Sequence, residues 1–377
     1  MAGTIEVVVE TYDVAVVGGG IAGVSIAYEL AGDRSVVLLE QEDQLALHTT
    51  GRSAAIYCPT YGNDTIRGLT RASRADYDRL QAEFDTPPLL TPRRLLWLST
   101  EDTPEAHAAL LAGGGEPIDG IAAQELCPAI RPDRIVEAAV LDAMDIDVMA
   151  LHGGYVRGLI DRGGRVLRDA AVTTVQPADG GWLVRYRDRS VLASVVVNAA
   201  GAWADRVAGL AGVPPLGLRP LRRTIFTSPV DGHDTTGWPF VIDVHERFYF
   251  KPEGPAVLVS PGDETPADPG DDRHDDLDVA RALEAVNEVT SLGLRRVSTV
   301  WTGLRTFAPD RSPVVGESAR AGFVWYAGQG GYGIQMAPAL ARAGAALIRR
   351  QPLPEEIRAE GVTEHAIGPA RFAVQAR

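Results

Sequence analysis

The chain has 377 residues, 45% of them hydrophobic, with a formal net charge of −14 and a pI near 5.0. Its length and composition fit two or three domains with an ordinary globular core, while the acidity argues against a nucleic-acid partner. Two cysteines, Cys58 and Cys127, exclude a disulfide framework; no signal-peptide pattern opens the chain and no apolar run reaches the ~18 residues of a membrane span, so a soluble, cytoplasmic protein is expected.

Residues 1–11 read as a short extension. Val14–Val17 is then an uninterrupted apolar run, as a buried parallel strand requires. Gly18, Gly20 and Gly23 follow as G-x-G-x-x-G, giving a tight turn, close approach of a pyrophosphate and close helix–strand packing. A helix is predicted from Ile21 to Leu30, and its N-terminus favours an anion. Ser35–Leu39 is a second apolar run, ended by Glu40, where an acid accepts hydrogen bonds from ribose hydroxyls. Together these point to a dinucleotide site, with NAD and FAD both open. The small, hydroxyl-rich segment His48-Thr49-Thr50-Gly51-Arg52-Ser53-Ala54 suits wrapping a phosphate or ring.

An amphipathic helix is predicted over 66–84, stopped by Thr86-Pro87-Pro88. A strand (94–98), a helix (103–112) and one helical turn (121–126) follow. The segment 141–147 reads as acidic and irregular, and 148–161 as a helix. Strands are predicted at 165–167, 172–175, 182–186 and 191–197, the last emptying into Asn198-Ala199-Ala200-Gly201-Ala202-Trp203. Pro214, Pro215 and Pro220 mark a crossing between domains. Further strands are predicted at 222–227, 240–243, 248–251 and 257–260. The acidic, Pro/Gly-rich run 261–278 reads as a surface loop without packing signals. A helix (279–289) and strands at 297–302, 313–315 and 323–326 follow. The last strand meets Gly328, Gly330, Gly331 and Gly333, and a helix is predicted from Ile334 to Arg349.

Three strand-to-glycine junctions, at 18–23, 198–203 and 328–333, fit a flavin held at both ends better than a nicotinamide dinucleotide. The stretches VVGGGIAGVS, TTGRSAAIY, NAAGAWAD, PLGL, FYFKP, WTGLRTF and GQGGYGIQ occur in one order. In them the chain resembles the D-amino-acid oxidase superfamily, in particular the bacterial D-arginine dehydrogenases. The resemblance implies a mixed α/β fold: a Rossmann-like FAD-binding domain (1–85, 145–215 and 315–377) interleaved with an antiparallel-sheet substrate domain (86–144 and 216–314). It implies FAD held without a covalent bond, although His48 and Cys58 lie where some relatives attach it. It implies no metal. Cofactor contacts are expected from Gly18, Gly20, Ile21, Ala22 and Gly23, and from Glu40, Gln41 and the 48–54 segment. Val172, Ala199, Gly201, Trp203 and Gly303 are expected to add to them. The turn Gly330-Gly331-Tyr332-Gly333-Ile334-Gln335 would place a helix start against the negative charge of the reduced flavin.

The implied chemistry is oxidation of a 2-amino acid to an imino acid, hydride passing from Cα to flavin N5, then hydrolysis to a 2-oxo acid and ammonia. O2 or a quinone takes the electrons. A substrate carboxylate in a dry pocket favours Arg. Arg305 is the first candidate and Arg222 or Arg223 the second, because adjacent strand residues face opposite sides. Tyr249 and Tyr61 are candidates for contacting or covering the substrate, with core packing as the alternative. Ile56 stands where the D-arginine enzymes carry histidine, and Leu95 where they carry glutamate. A preference for neutral, apolar D-amino acids over cationic ones is therefore expected. A secondary-amine oxidase of the glycine or sarcosine type is the alternative.

Overall fold

The computed structural model describes residues 9–372; the expected N-terminal extension falls largely on residues 1–8, outside the described residues. Two sheets organise the chain. In the first, Arg165–Leu167, Val36–Leu39, Glu10–Val17, Arg189–Asn198 and Phe323–Ala327 lie side by side in parallel. Val314–Glu317 closes the edge in the antiparallel sense. Arg189–Asn198 carries two neighbours in series on one edge. Its residues 189–193 pair with the hairpin Val172–Ala178/Gly181–Tyr186, and its residues 196–198 pair with Phe323–Trp325.

Both faces of this sheet are covered, which is why Val36–Leu39 is apolar throughout. Side chains alternate along Glu10–Val17. Val14 and Val16 join a core with helices Ile21–Leu30, Asp64–Phe84, Val148–Asp161 and Ala337–Ile348. Ala15 and Val17 join a second core with the hairpin and helix Ala204–Leu210.

The second sheet has ten strands and is mostly antiparallel. Its spine runs Arg219–Pro229, Ala256–Ser260, Tyr249–Glu253, Phe240–Asp243, Leu90–Ser99, Glu137–Ile146 and Ile56–Tyr57, with Thr299–Phe307 flanking Arg219–Pro229. The pair Phe240–Asp243 and Leu90–Ser99 is parallel. One face packs against helix Asp276–Val289. The other, bearing Leu95, Trp97, Phe240, Ile242 and Tyr249, forms a separate core beside Ala54 and Cys58.

Three expectations are corrected. Residues 141–147 are mostly strand, not irregular: Glu137–Ile146 pairs with Leu90–Ser99 along its whole length. The acids there hid the ladder, but Asp145 is matched by Arg93 and Lys251. The 261–278 run is not an unpacked loop. Thr265–Pro266 joins the sheet, a helix starts at Asp276, and Asp263 accepts from the backbone N–H (2.6 Å) and hydroxyl (2.9 Å) of Thr224. The last long helix begins at Ala337, not Ile334, because Gly330–Met336 forms a chain of turns first. The short strands Ile56–Tyr57 and Glu116–Ile118 were not legible. Among the described residues no helix is long and apolar enough to cross a membrane.

Candidate active site

The three glycine junctions meet in one cleft. Gly18–Ala22, Ala199–Trp203 and Gly328–Gly331 line it, with Ala170–Val172 and the second sheet's Gly303–Thr306. At Gly18 (φ +112°) a Cβ would stand 2.5 Å from the Ala199 carbonyl oxygen, and one at Gly23 would stand 1.7 Å from that of Gly18. Gly23 thus packs helix on strand and is not a lining residue. At Gly20 an added Cβ would meet only Thr50 Oγ1, at 3.1 Å, so that position faces open space. Helix Ile21–Leu30 has no side-chain cap and no acid in its first turn. Its Ile21 N–H donates to Thr50 Oγ1 at 3.0 Å. This is a helix start prepared for an anion.

Glu40 is buried and fixed. Its Oε2 accepts from Gly19 N–H at 2.6 Å, and its Oε1 from Glu42 N–H at 3.0 Å. Each oxygen keeps a second lone pair for a ligand hydroxyl. Buried His152 places Nε2 2.9 Å from the Gly19 carbonyl oxygen, a contact that requires the proton on that nitrogen. Burial lowers its pKa below the ordinary histidine value. The sequence did not single it out, since it lies in the helix Val148–Asp161, far along the chain from the glycines.

The 48–53 segment bridges the two sheets. Thr49 Oγ1 donates to Leu304 O (2.7 Å), Arg52 Nη1 to Thr302 O (2.9 Å) and Trp301 Nε1 to Arg52 O (3.2 Å). His48 sits 3.0 Å from Glu42 Oε1, its ring 4.9 Å from that of Trp203. Gln41, His48, Thr50, Arg52, Ser53 and Val172 line the cleft. Gly51 does not: it donates to Ala46 O at 2.9 Å, and a Cβ there would clash with that oxygen.

A smaller pocket shares Ser53, Arg305, Gly331 and Ile334 with the cleft. Its walls are Ile56, Leu95, Trp97, Phe240 and Ile242, with Ala54, Tyr61, Tyr249 and Gln335. None of its lining residues is acidic. Asp243 is buried and engaged by Arg247, and Glu246 accepts from the Tyr61 hydroxyl at 3.0 Å. Phe240 and Ile242 escaped sequence reasoning because facing Leu95 and Trp97 is a matter of register. Burial opposes the Arg305 charge, yet Tyr249, Tyr61 and Glu246 outweigh it and leave the pKa raised. Tyr332 packs edge-on against Tyr61 (5.1 Å) and Phe307 (6.4 Å) and lines neither cavity.

Arg222 and Arg223 part company, as strand alternation demands. Arg223 is 3% exposed and lines the cleft. Its Nε donates to Asp263 O at 2.9 Å, while its buried Nη1 has no partner. Arg222 points away: its Nε lies 3.0 Å from Asp263 and its Nη2 3.0 Å from Asp278. It lines neither cavity. Tyr249 Oη, Thr306 Oγ1 and Gln335 Nε2 are also buried without partners. Such groups cost about 1–3 kcal/mol each unless a ligand takes them.

The late start of helix Ala337–Ile348 moves its dipole end a turn beyond the glycines. The donors beside the cleft and the smaller pocket are instead peptides of the turn: among the described residues, the N–H groups of Gly331, Gly333, Ile334 and Gln335 find no backbone acceptor. Cys58 lines neither cavity, and burial pushes its thiol pKa up.

An open position at Gly20, a helix start without an N-cap side chain of its own, a fixed buried acid and unpartnered peptide donors are what a flavin dinucleotide needs. Residues 13–347 match the DAO family, described as FAD dependent oxidoreductase. Over 353 residues the chain is 28% identical to the mitochondrial dimethylglycine dehydrogenase of Rattus norvegicus, covering 85% of this chain and 41% of that protein. Over 367 residues it is 23% identical to the glycine oxidase of Bacillus licheniformis, covering 92% and 95%. The L-proline dehydrogenase of P.horikoshii shares its fold, with a TM-score of 0.82 at 19% identity over 98% of this chain and 99% of that one. The chain spans about two fifths of the length of the dimethylglycine dehydrogenases it matches. It belongs to the DAO family of FAD-dependent oxidoreductases, with FAD as its cofactor.

Proposed function

We propose that the chain oxidises the C–N bond of an amino acid that carries a free carboxylate and a neutral, apolar substituent. The carrying observation is the smaller pocket: Arg305 and Tyr249 in a wall made of Ile56, Leu95, Trp97, Phe240 and Ile242, with no acidic lining residue. FAD, when bound, supplies the two-electron acceptor for the hydride. The first-sheet body, roughly 1–85, 145–215 and 315–377, holds it without a covalent bond; the second-sheet body, roughly 86–144 and 216–314, holds the substrate.

Arg305 grips the substrate carboxylate bidentately, Tyr249 Oη donates to it, and Arg223 Nη1 supplies further positive charge. Tyr61 covers the substrate from the Glu246 side, and Gln335 Nε2 is the nearby amide donor. A substrate amine that arrives neutral needs no dedicated protein base. A guanidinium or ammonium side chain buried in this wall would stay unpaired, at a cost of several kcal/mol.

A D-amino acid is the first reading of the substrate. An N-alkyl glycine is the second, favoured by the glycine and dimethylglycine named in the relatives. The test is kcat/KM for D-leucine, D-methionine, D-phenylalanine, D-arginine, glycine and sarcosine, with released ammonia and methylamine quantified. An apolar substrate outpacing D-arginine at least tenfold is expected. D-arginine as the best substrate would sink the proposal and point to Glu246 as its counter-charge. Stoichiometric peroxide would mark an oxidase, and its absence a dehydrogenase.

A further inference from the structure

The cleft-lining turn is held from behind by a helix that touches neither cavity. Ser73 and Tyr77 lie one turn apart on the inner face of Asp64–Phe84 and are fully buried. The Tyr77 hydroxyl donates to the Ile334 carbonyl at 2.7 Å. Ser73 Oγ accepts from the Ala339 N–H at 3.0 Å while donating to Leu69 O at 2.8 Å. Helix Ala337–Ile348 has Met336 at its N-cap and no side-chain cap of its own. Ser73 therefore caps it from another helix. One residue before the capped helix and one in its first turn are both pinned, and the Cys58 N–H adds a bond to Gln335 Oε1 at 3.1 Å.

We propose that Ser73 and Tyr77 are positioning residues that set the redox behaviour of the bound flavin. Gly331, Ile334 and Gln335 line the smaller pocket, and on the proposed reading that the substrate sits there the redox-active end of FAD lies beside this turn. Reduction adds negative charge to that end. N–H donors held in place stabilise the reduced form more than the oxidised one, and donors free to move do so less. Burial drives the Tyr77 pKa well above the ordinary tyrosine value, so its hydroxyl stays a donor at every working pH.

The test compares the Tyr77→Phe and Ser73→Ala holoenzymes with wild type by spectroelectrochemical midpoint potential and by FAD Kd from fluorescence on dilution. Ser228→Ala is the control: it removes a buried hydroxyl bond, to Arg296 O at 2.7 Å, in the second sheet and outside both cavities. In Tyr77→Phe we expect reduced FAD to lose about tenfold more affinity than oxidised FAD, equivalent to a potential lower by about 30 mV for this two-electron couple. Ser73→Ala should shift it in the same direction by a smaller amount, and Ser228→Ala should lower only the Tm. If Tyr77→Phe does not fold, Ser73→Ala carries the test alone. Potentials and Kd values equal to wild type in the folded variants, with only Tm lowered, would overturn the proposal. Because an electrode does the reducing, the result stands whichever substrate reading holds.

Discussion

The dinucleotide end of the cleft is made of backbone, and the inner pocket is made of side chains. At the first, Gly18, Gly20 and Gly201 present peptide groups and absent Cβ atoms. At the second, Leu95, Trp97, Phe240, Ile242 and Tyr249 come from three strands of the other sheet. A backbone site depends on a local spacing and holds a constant ligand. A side-chain site depends on register between distant strands, and one substitution can change what it accepts. The two ends should therefore fail differently.

The largest effect is expected at the inner end. Removing an Arg that pairs a carboxylate in a desolvated site should cost roughly 3–5 kcal/mol. Arg305→Ala should keep its yellow colour and full FAD content yet show no reduction by amino acids at accessible concentrations. Near-normal turnover would shift the clamp to Arg223.

Gly20→Val breaks the other end. The position meets only Thr50 Oγ1, so the fold should tolerate the side chain while the pyrophosphate does not. FAD content per chain after gel filtration should fall well below one, with helical circular dichroism unchanged. Stoichiometric FAD in this variant would place the phosphates elsewhere.

Leu95→Glu sharpens the contrast by altering the pocket alone. A buried acid hydrogen-bonded to a guanidinium contributes about 1.5–3 kcal/mol, so the D-arginine to D-leucine ratio of kcat/KM should rise roughly ten- to a hundredfold. FAD Kd should stay constant. An unchanged ratio would remove Leu95 from the wall the substrate touches.

The smallest effect concerns His152. Its folded pKa lies below the ordinary 6.5, so the native state binds fewer protons than the unfolded state between those values. That stability is full above pH 6.5 and is lost as pH falls through the folded pKa. His152→Gln can keep the donor to Gly19 O without titrating. Its Tm should therefore drop less than that of wild type between pH 7.5 and pH 5.5. Equal drops would show that the imidazole does not link pH to stability.

This same division decides what the sequence made legible. Gly18-x-Gly20-x-x-Gly23, the apolar strands on either side and Glu40 are neighbours in sequence, so spacing alone located them. The alternation rule offered Arg222 and Arg223 as a choice but could not pick between them, because the answer depends on where Asp263 and Asp278 fold back. Asp263 itself lies in a run whose composition imitates a disordered loop. Phe240 and Ile242 needed the parallel register with Leu95 and Trp97. His152 and Tyr77 act on turns 133 and 257 positions away in sequence, and no local pattern carries that contact. Glycines alone could not show that Gly330–Met336 would delay the last long helix.

The most direct test is anaerobic flavin bleaching at 450 nm across a panel of D- and L-amino acids and N-methyl glycines, on wild type and Arg305→Ala side by side. We predict full bleaching of wild type by at least one neutral, apolar amino acid or N-alkyl glycine, slow or no bleaching by D-arginine and D-lysine, and none of the variant by any of them. Bleaching of wild type only by cationic amino acids, or equal bleaching of both proteins, would contradict a carboxylate clamp set in an apolar wall.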